Sequence, residues 1–194
     1  MKIVLTILAV VVVLVAGALF IAFSGVPEVS ALGSQQPLVE WFLVTTRERS
    51  IESRAEKIQV PDLGGPSRLA EGLEHYHGMC AGCHGAPGLE PSEIGRGLNP
   101  TPPNLVRHEF EGEEAAEAFW VIQNGIRMTG MPAFGPTHTD EQIWDLVAFL
   151  RRMPELSPKQ YAQMVAEAAA GGEHAAEPHD HHDGGGEHHP EPPG

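Results

Sequence analysis

An unbroken apolar run opens the chain, amphipathic segments fill its middle, and its end carries no hydrophobic pattern at all. Ile3 to Phe23 is interrupted only by Thr6, Gly17 and small alanines. A helix that crosses a bilayer needs about 20 such residues, whereas the apolar core of a cleaved signal peptide runs to about 7–15. The length favours a retained transmembrane signal anchor over residues 1–23, although Val29-Ser30-Ala31 would serve as a small-residue cleavage site. Lys2 is the only charge before the run. Positive charge stays on the cytoplasmic side, so everything after Phe23 is expected beyond the inner membrane, in the periplasm of a bacterium.

Residues 24–65 read as a linker containing a short helix. Between Val44 and Val60, Ile51, Ala55 and Ile58 share one helical face among Arg47, Glu48, Arg49, Glu52, Arg54, Glu56 and Lys57. Such a helix either packs on the domain that follows or forms a stalk, and the pattern does not choose. Residues 66–156 leave room for one domain. Ser67 is placed to cap a first helix with the stripe Leu69, Leu73, Tyr76 and Cys80, and Gly72 offers a close-contact site on that face. A loop rich in glycine and proline follows, through Asn99-Pro100-Thr101-Pro102-Pro103.

A second helix is predicted from Glu113 to Asn124, burying Ala115, Ala118, Phe119, Val121 and Ile122, with Gly125 as its stop. The acids Glu113, Glu114 and Glu117 read as its solvated face. A third begins at Thr139, capped reciprocally with Gln142, and carries Ile143, Leu146, Val147 and Leu150 beside Trp144 and Phe149. Met153-Pro154 ends it. Ser157-Pro158-Lys159-Gln160 repeats the capping pattern, so residues 157–170 read as a last, exposed helix. No repeat unit and no strand alternation is present, and the expected class is all-α.

Residues 171–194 are Gly, His, Pro, Glu and Asp with scattered Ala, a composition that builds no core and reads as a disordered tail. The tail holds six of the eleven histidines. They amount either to a solvated acidic tail or to a loose site for a divalent metal such as zinc, copper or nickel. The net charge of −14 disfavours nucleic acid as a partner and suits docking on a basic patch of another protein.

Chemistry concentrates in Cys80-Ala81-Gly82-Cys83-His84, which contains both cysteines of the chain. Two cysteines at this spacing followed at once by histidine are the attachment pattern of c-type haem. Cys80 and Cys83 would add across the two porphyrin vinyl groups, and His84 would lie under the iron as proximal ligand. A thioredoxin-like redox pair would need strand–helix–strand context, which is missing. A zinc site recruiting His75, His77 or His108 would lack the usual finger spacing.

A distal ligand is sought beyond the motif. Met131 lies in Gly130-Met131-Pro132-Ala133-Phe134-Gly135, a loop whose small and turn-forming residues let the backbone approach a haem. Met128, His108 and His138 stay open as alternatives. Met153 and Met164 fall at helical positions, where methionine is usually a packing residue. Arg96 is a candidate partner for a haem propionate. A loop carbonyl should hold the other nitrogen of His84, with Pro103, Pro100 and Pro102 as candidates.

This order resembles a class I cytochrome c: a helix with Gly72 and Tyr76, the haem motif, a Met-Pro loop, and a helix ending Ala148-Phe149-Leu150-Arg151. More narrowly, Ser67 to Pro154 is similar to the single-haem domains grouped with the subunit III cytochromes of cbb3-type oxidases. The resemblance implies Met131 as sixth ligand. It also implies a crossing of first and last helices, with Gly72 and Tyr76 against Leu146 and Phe149. The oxidase subunits carry two haem motifs and this chain has one, so membership of that oxidase does not follow.

The function expected is that of a membrane-anchored monohaem cytochrome carrying single electrons between redox partner proteins, and not an enzyme in its own right. Three alternatives remain: the electron-transfer subunit of a periplasmic dehydrogenase or terminal oxidase, an open-site haem sensor or peroxidase, and a metal-handling protein acting through the tail.

Overall fold

A computed structural model of the chain describes residues 1–33, 36–108, 110 and 112–172. Within them the helices are α1 (Lys2–Phe23), α2 (Pro37–Ala55), α3 (Pro66–His75), α4 (Ala81–His84), α5 (Glu93–Gly97), α6 (Glu113–Asn124), α7 (Asp140–Arg152) and α8 (Pro158–Gly172). A π-helical turn over Tyr76–Cys80 joins α3 to α4, and short 3-10 turns cover Leu105–Arg107 and Met153–Glu155. Apart from one isolated bridge between Ala86 and Leu89, no strand pairing occurs among the described residues, and the all-α expectation holds.

The core is built where α3 crosses α7. Helix axes approach this closely only if one side offers almost no side chain. At Gly72 a Cβ would run into the Asp145 carbonyl and stand 2.8 Å from Phe149 Cβ. Next to that contact Tyr76 and Phe149, 1% and 0% exposed, bring their rings to 5.4 Å, and Leu146 is fully buried. The crossing expected from the resemblance is therefore present. Tyr76 resolves its buried hydroxyl by donating to the Gly85 carbonyl at 2.6 Å, which ties the crossing to the loop after His84. Arg68 clamps the outer edge, donating to Asp145 at 2.7 Å and to Glu141 at 2.8 Å.

The remaining helices fall largely as patterned. α6 spans Glu113–Asn124 and stops at Gly125. α7 opens on the reciprocal Thr139–Gln142 capping box. Ser157 and Gln160 bond each other's backbone amides at the start of α8.

Some expectations need correction. Ser67 does not cap α3. Pro66 is already inside the helix and Gly65 is the cap residue, because proline needs no partner for a first-turn amide and is preset for helical φ. Nor is α8 an exposed helix: Tyr161 is 1% exposed and packs toward Phe149 and His77, with Met164, Val165 and Ala168 against the core. The stalk alternative for the linker helix fails too. α2 begins well before Val44 and lays its C-terminal half on α6, burying Ala55 and setting Arg54 5.9 Å over the Trp120 ring.

At the other end, α1 is 22 residues of mean hydropathy 3.1 with none buried, long and apolar enough to cross a membrane. Gly171 and Gly172 finish α8. The rest of the predicted tail, with its six histidines, lies outside the described residues.

Candidate functional site

A cleft of about 540 Å³ collects the chemistry-bearing residues. The π-helical turn at Tyr76–Cys80 carries an extra residue per turn, and after it α4 presents Cys83 and His84 to the same cleft as Cys80. Both cysteine side chains are half-buried. Burial, with Cys83 beside it, pushes the Cys80 thiol up to about 12, so at neutral pH it is an uncharged group in an apolar wall.

His84 is oriented from behind. Its Nδ1 stands 2.9 Å from the Pro103 carbonyl oxygen, and a carbonyl only accepts. The proton must therefore be on Nδ1, which leaves Nε2 with a free lone pair. Burial lowers the pKa of this imidazole, although the bond to Pro103 pulls the other way. The ring is neutral, tautomer-fixed and suited to bind a metal. Of the three proline carbonyls considered, Pro103 is the one that makes this bond.

Met131 lines the same cleft. Its amide donates to Thr129 Oγ1 at 3.1 Å and its carbonyl accepts from the Ile126 amide at 3.1 Å. Thr129 Oγ1 in turn donates to the Ile126 carbonyl at 2.7 Å. This knot of short bonds holds the thioether-bearing loop without any helix. Leu98, Val121, Ile122, Phe134 and Leu150 supply apolar walls. Val121, expected in the core, is half-buried because it faces the cleft instead.

All but one of the alternatives are placed elsewhere. Met128 is 89% exposed and does not line the cleft. Met153 is fully buried under α7, and Met164 packs against the core. His138 lies edge-on to His75 and Phe134, and His77 bonds Tyr161 at 2.8 Å. His108 does line the cleft, 4.0 Å from Glu114. Among the described residues no three of the His, Cys, Asp and Glu side chains are grouped to hold a metal ion. Arg96 is turned away, exposed and donating to the Pro91 carbonyl at 2.6 Å, because α5 presents its other side to the motif.

Two contributions escaped sequence reasoning. The first is α2, which adds Arg47, Glu48 and Ile51 to the cleft wall; the spacing of Arg47 and Ile51, one helical turn apart, was the available signal. The second is Gly95, where a Cβ would stand 2.7 Å from the Gly82 carbonyl and 2.8 Å from Cys83 Cα. Its absence lets α5 press directly on the motif. Glu117 also departs from the solvated face assigned to it. It is half-buried at the junction of α2 and α6, its carboxyl pKa raised by burial first and then by Glu52, Glu114, Glu113 and Glu48.

Two cysteine sulfurs, a neutral imidazole and a thioether lining one cleft with apolar walls form a donor set that fits a covalently held porphyrin. The volume lies within the roughly 300–1,000 Å³ of ordinary cofactor sites. A family model described as cytochrome c oxidase, cbb3-type, subunit III matches residues 67–150. No curated protein and no solved structure matches the chain. The match begins one residue inside α3 and ends within α7, so it spans the helix crossing, the Cys-Cys-His motif and the Met-Pro loop. Residues 67–150 are a c-type haem-binding domain, a single-haem cytochrome c domain similar to the cbb3-type subunit III cytochromes.

Proposed function

We propose that the chain is a membrane-anchored monohaem cytochrome that carries single electrons on the periplasmic face of the inner membrane. The observation that carries this reading is the gathering of Cys80, Cys83, His84 and Met131 around one apolar cleft. Cys80 and Cys83 would hold the haem through thioether bonds, and His84 Nε2 and Met131 Sδ would bind its iron. Bound there, haem supplies a one-electron ferric–ferrous couple, and His/Met ligation raises its potential.

The chain's own residues do the rest. Pro103 keeps the His84 proton on Nδ1. The Ile126–Thr129–Met131 bonds hold the thioether loop in place, which favours one coordination in both oxidation states. Phe134, Val121 and Ile51 give the cleft apolar walls. An electron carrier needs no substrate pocket.

α1 supports the anchor, and Lys2 at its first position supports a cytoplasmic N-terminus. Excess acidic charge supports docking on a basic patch of the redox partner, with an association rate that falls as salt rises. The test is a haem stain on denatured protein, alongside spectra of the membrane fraction. Haem that stays with the chain through denaturation, in membranes from which alkaline carbonate does not release it, is the expected result. Haem lost on denaturation, or protein washed free by carbonate, contradicts the reading.

The family's description names an oxidase subunit, which favours a second reading as the electron-transfer subunit of a larger complex. Copurification of a stoichiometric partner in mild detergent supports that reading, and a lone chain supports the free carrier.

A further inference from the structure

α2 changes character halfway along. Its C-terminal half is charged, packs on α6 and lines the cleft. Its N-terminal half is apolar on every side but that of Glu40: Leu38, Val39, Trp41, Phe42 and Leu43 are 75%, 52%, 62%, 60% and 50% exposed. Consecutive positions point in all directions around a helix, so this is an apolar knob and not a stripe awaiting one partner helix. Soluble proteins seldom leave so much contiguous apolar surface in water. Glu40 is the only charge from Pro37 to Thr46, and the first positive charge, Arg47, comes after the knob has ended.

The chain's geometry indicates what covers it. Residues 24–36 connect α1 to α2, a stretch that reaches at most about 45 Å fully extended. The connector is held to the domain, because the Ala31 carbonyl accepts from Asn99 Nδ2 at 2.9 Å, between the cleft residues Leu98 and Pro100. From Phe23 to Ala31 the chain reaches at most about 29 Å. A tryptophan within the knob is the residue type that settles at a membrane–water interface.

We propose that Pro37–Leu43 is seated in the interfacial layer of the bilayer that α1 crosses. α2 then acts as a bracket, with one half in the headgroup region and the other against α6 and the cleft. The cytochrome domain is thereby held on the membrane surface and does not swing on a free tether. This rests on the reading of α1 as a membrane anchor, and the test separates the two.

The full-length haem-loaded chain is placed in phosphatidylcholine–phosphatidylglycerol vesicles with the haem reduced. Single spin labels are introduced at Val12→Cys, Trp41→Cys, Phe42→Cys and Arg49→Cys, and the haem spectrum of each confirms that the fold is kept. Accessibility to oxygen, which concentrates in lipid, is compared with accessibility to a water-soluble nickel chelate. The expected result is a label deep in lipid at position 12, shallower labels at 41 and 42 that still favour oxygen, and one at 49 that favours nickel. Labels at 41 and 42 that favour nickel, with 12 in lipid, overturn the proposal and leave the anchor standing. Protection of 41 and 42 from both reagents means protein covers the knob, a partner or a second copy, and also overturns it. A nickel-accessible label at 12 removes the anchor and the proposal together.

Discussion

His84 Nδ1 lies 2.9 Å from the carbonyl oxygen of Pro103, across a loop of nineteen positions. That single bond decides which ring nitrogen faces the cleft. It also gives the proline-dense loop a mechanical role. Without amide donors at Pro100, Pro102 and Pro103, the loop has little internal bonding to relax into. In the reduced, haem-loaded protein the Nδ1 proton should appear as a discrete resonance that exchanges slowly with solvent. Rapid exchange, or a proton on Nε2, would contradict the assignment.

Gly72→Ala tests the helix crossing. Alanine favours an isolated helix over glycine by about 0.5–1 kcal/mol. Here the new methyl meets the Asp145 backbone and Phe149 Cβ, and overpacking costs about 1–3 kcal/mol or more. The clash outweighs the propensity because backbone cannot rotate away. The urea midpoint should fall, and an unchanged or raised midpoint would show that α3 and α7 are not pressed together at this point.

Alkaline stability should depend on Tyr161 and Tyr76. Burial pushes the Tyr161 phenol up to about 12, and raises that of Tyr76 as well. Both phenols hold their protons more tightly folded than unfolded. The stability this confers is complete below about pH 10 and is lost as pH rises toward the folded value. Urea midpoints followed by far-ultraviolet circular dichroism should decline over that window, and Tyr161→Phe should decline less steeply. Equal slopes would show that Tyr161 is not buried as described.

Much of this architecture was legible in the sequence because it rests on local rules. The Thr139–Gln142 box, the Gly125 stop and the Cys80–Cys83–His84 motif each declare themselves within a few residues. The small residue at Gly72 marked a close contact, and the resemblance to class I cytochromes c supplied the helix that it crosses. Harder were features defined by distant partners. Arg96 looked like an anion partner until α5 turned it toward Pro91. Tyr161 looked exposed because its burying neighbours, Phe149 and His77, come from other helices. The start of α2 was hidden because Leu38 to Leu43 is apolar on almost all sides, with Glu40 the exception, and so shows no helical period.

The cover that α2 places on the cleft predicts an electrochemical effect. Ile51 is part of the cleft wall, and the apolar shell around a metal site sets its solvent access and potential. Ile51→Ser should lower the midpoint potential by admitting water, which favours the more highly charged ferric state. Arg49→Ser, on the exposed side of the same helix, should leave it nearly unchanged. Equal shifts in both variants would mean that α2 acts through charge or stability and not as a cover.

The ligand set itself is the central claim, and one spectrum addresses it. Ferric haem with methionine bound shows a weak far-red charge-transfer band that other ligand sets lack. The band should be present in the wild-type protein, persist in Met128→Ala and vanish in Met131→Ala, where the potential should also fall. A band that survives Met131→Ala, or is absent from the wild type, would contradict the account.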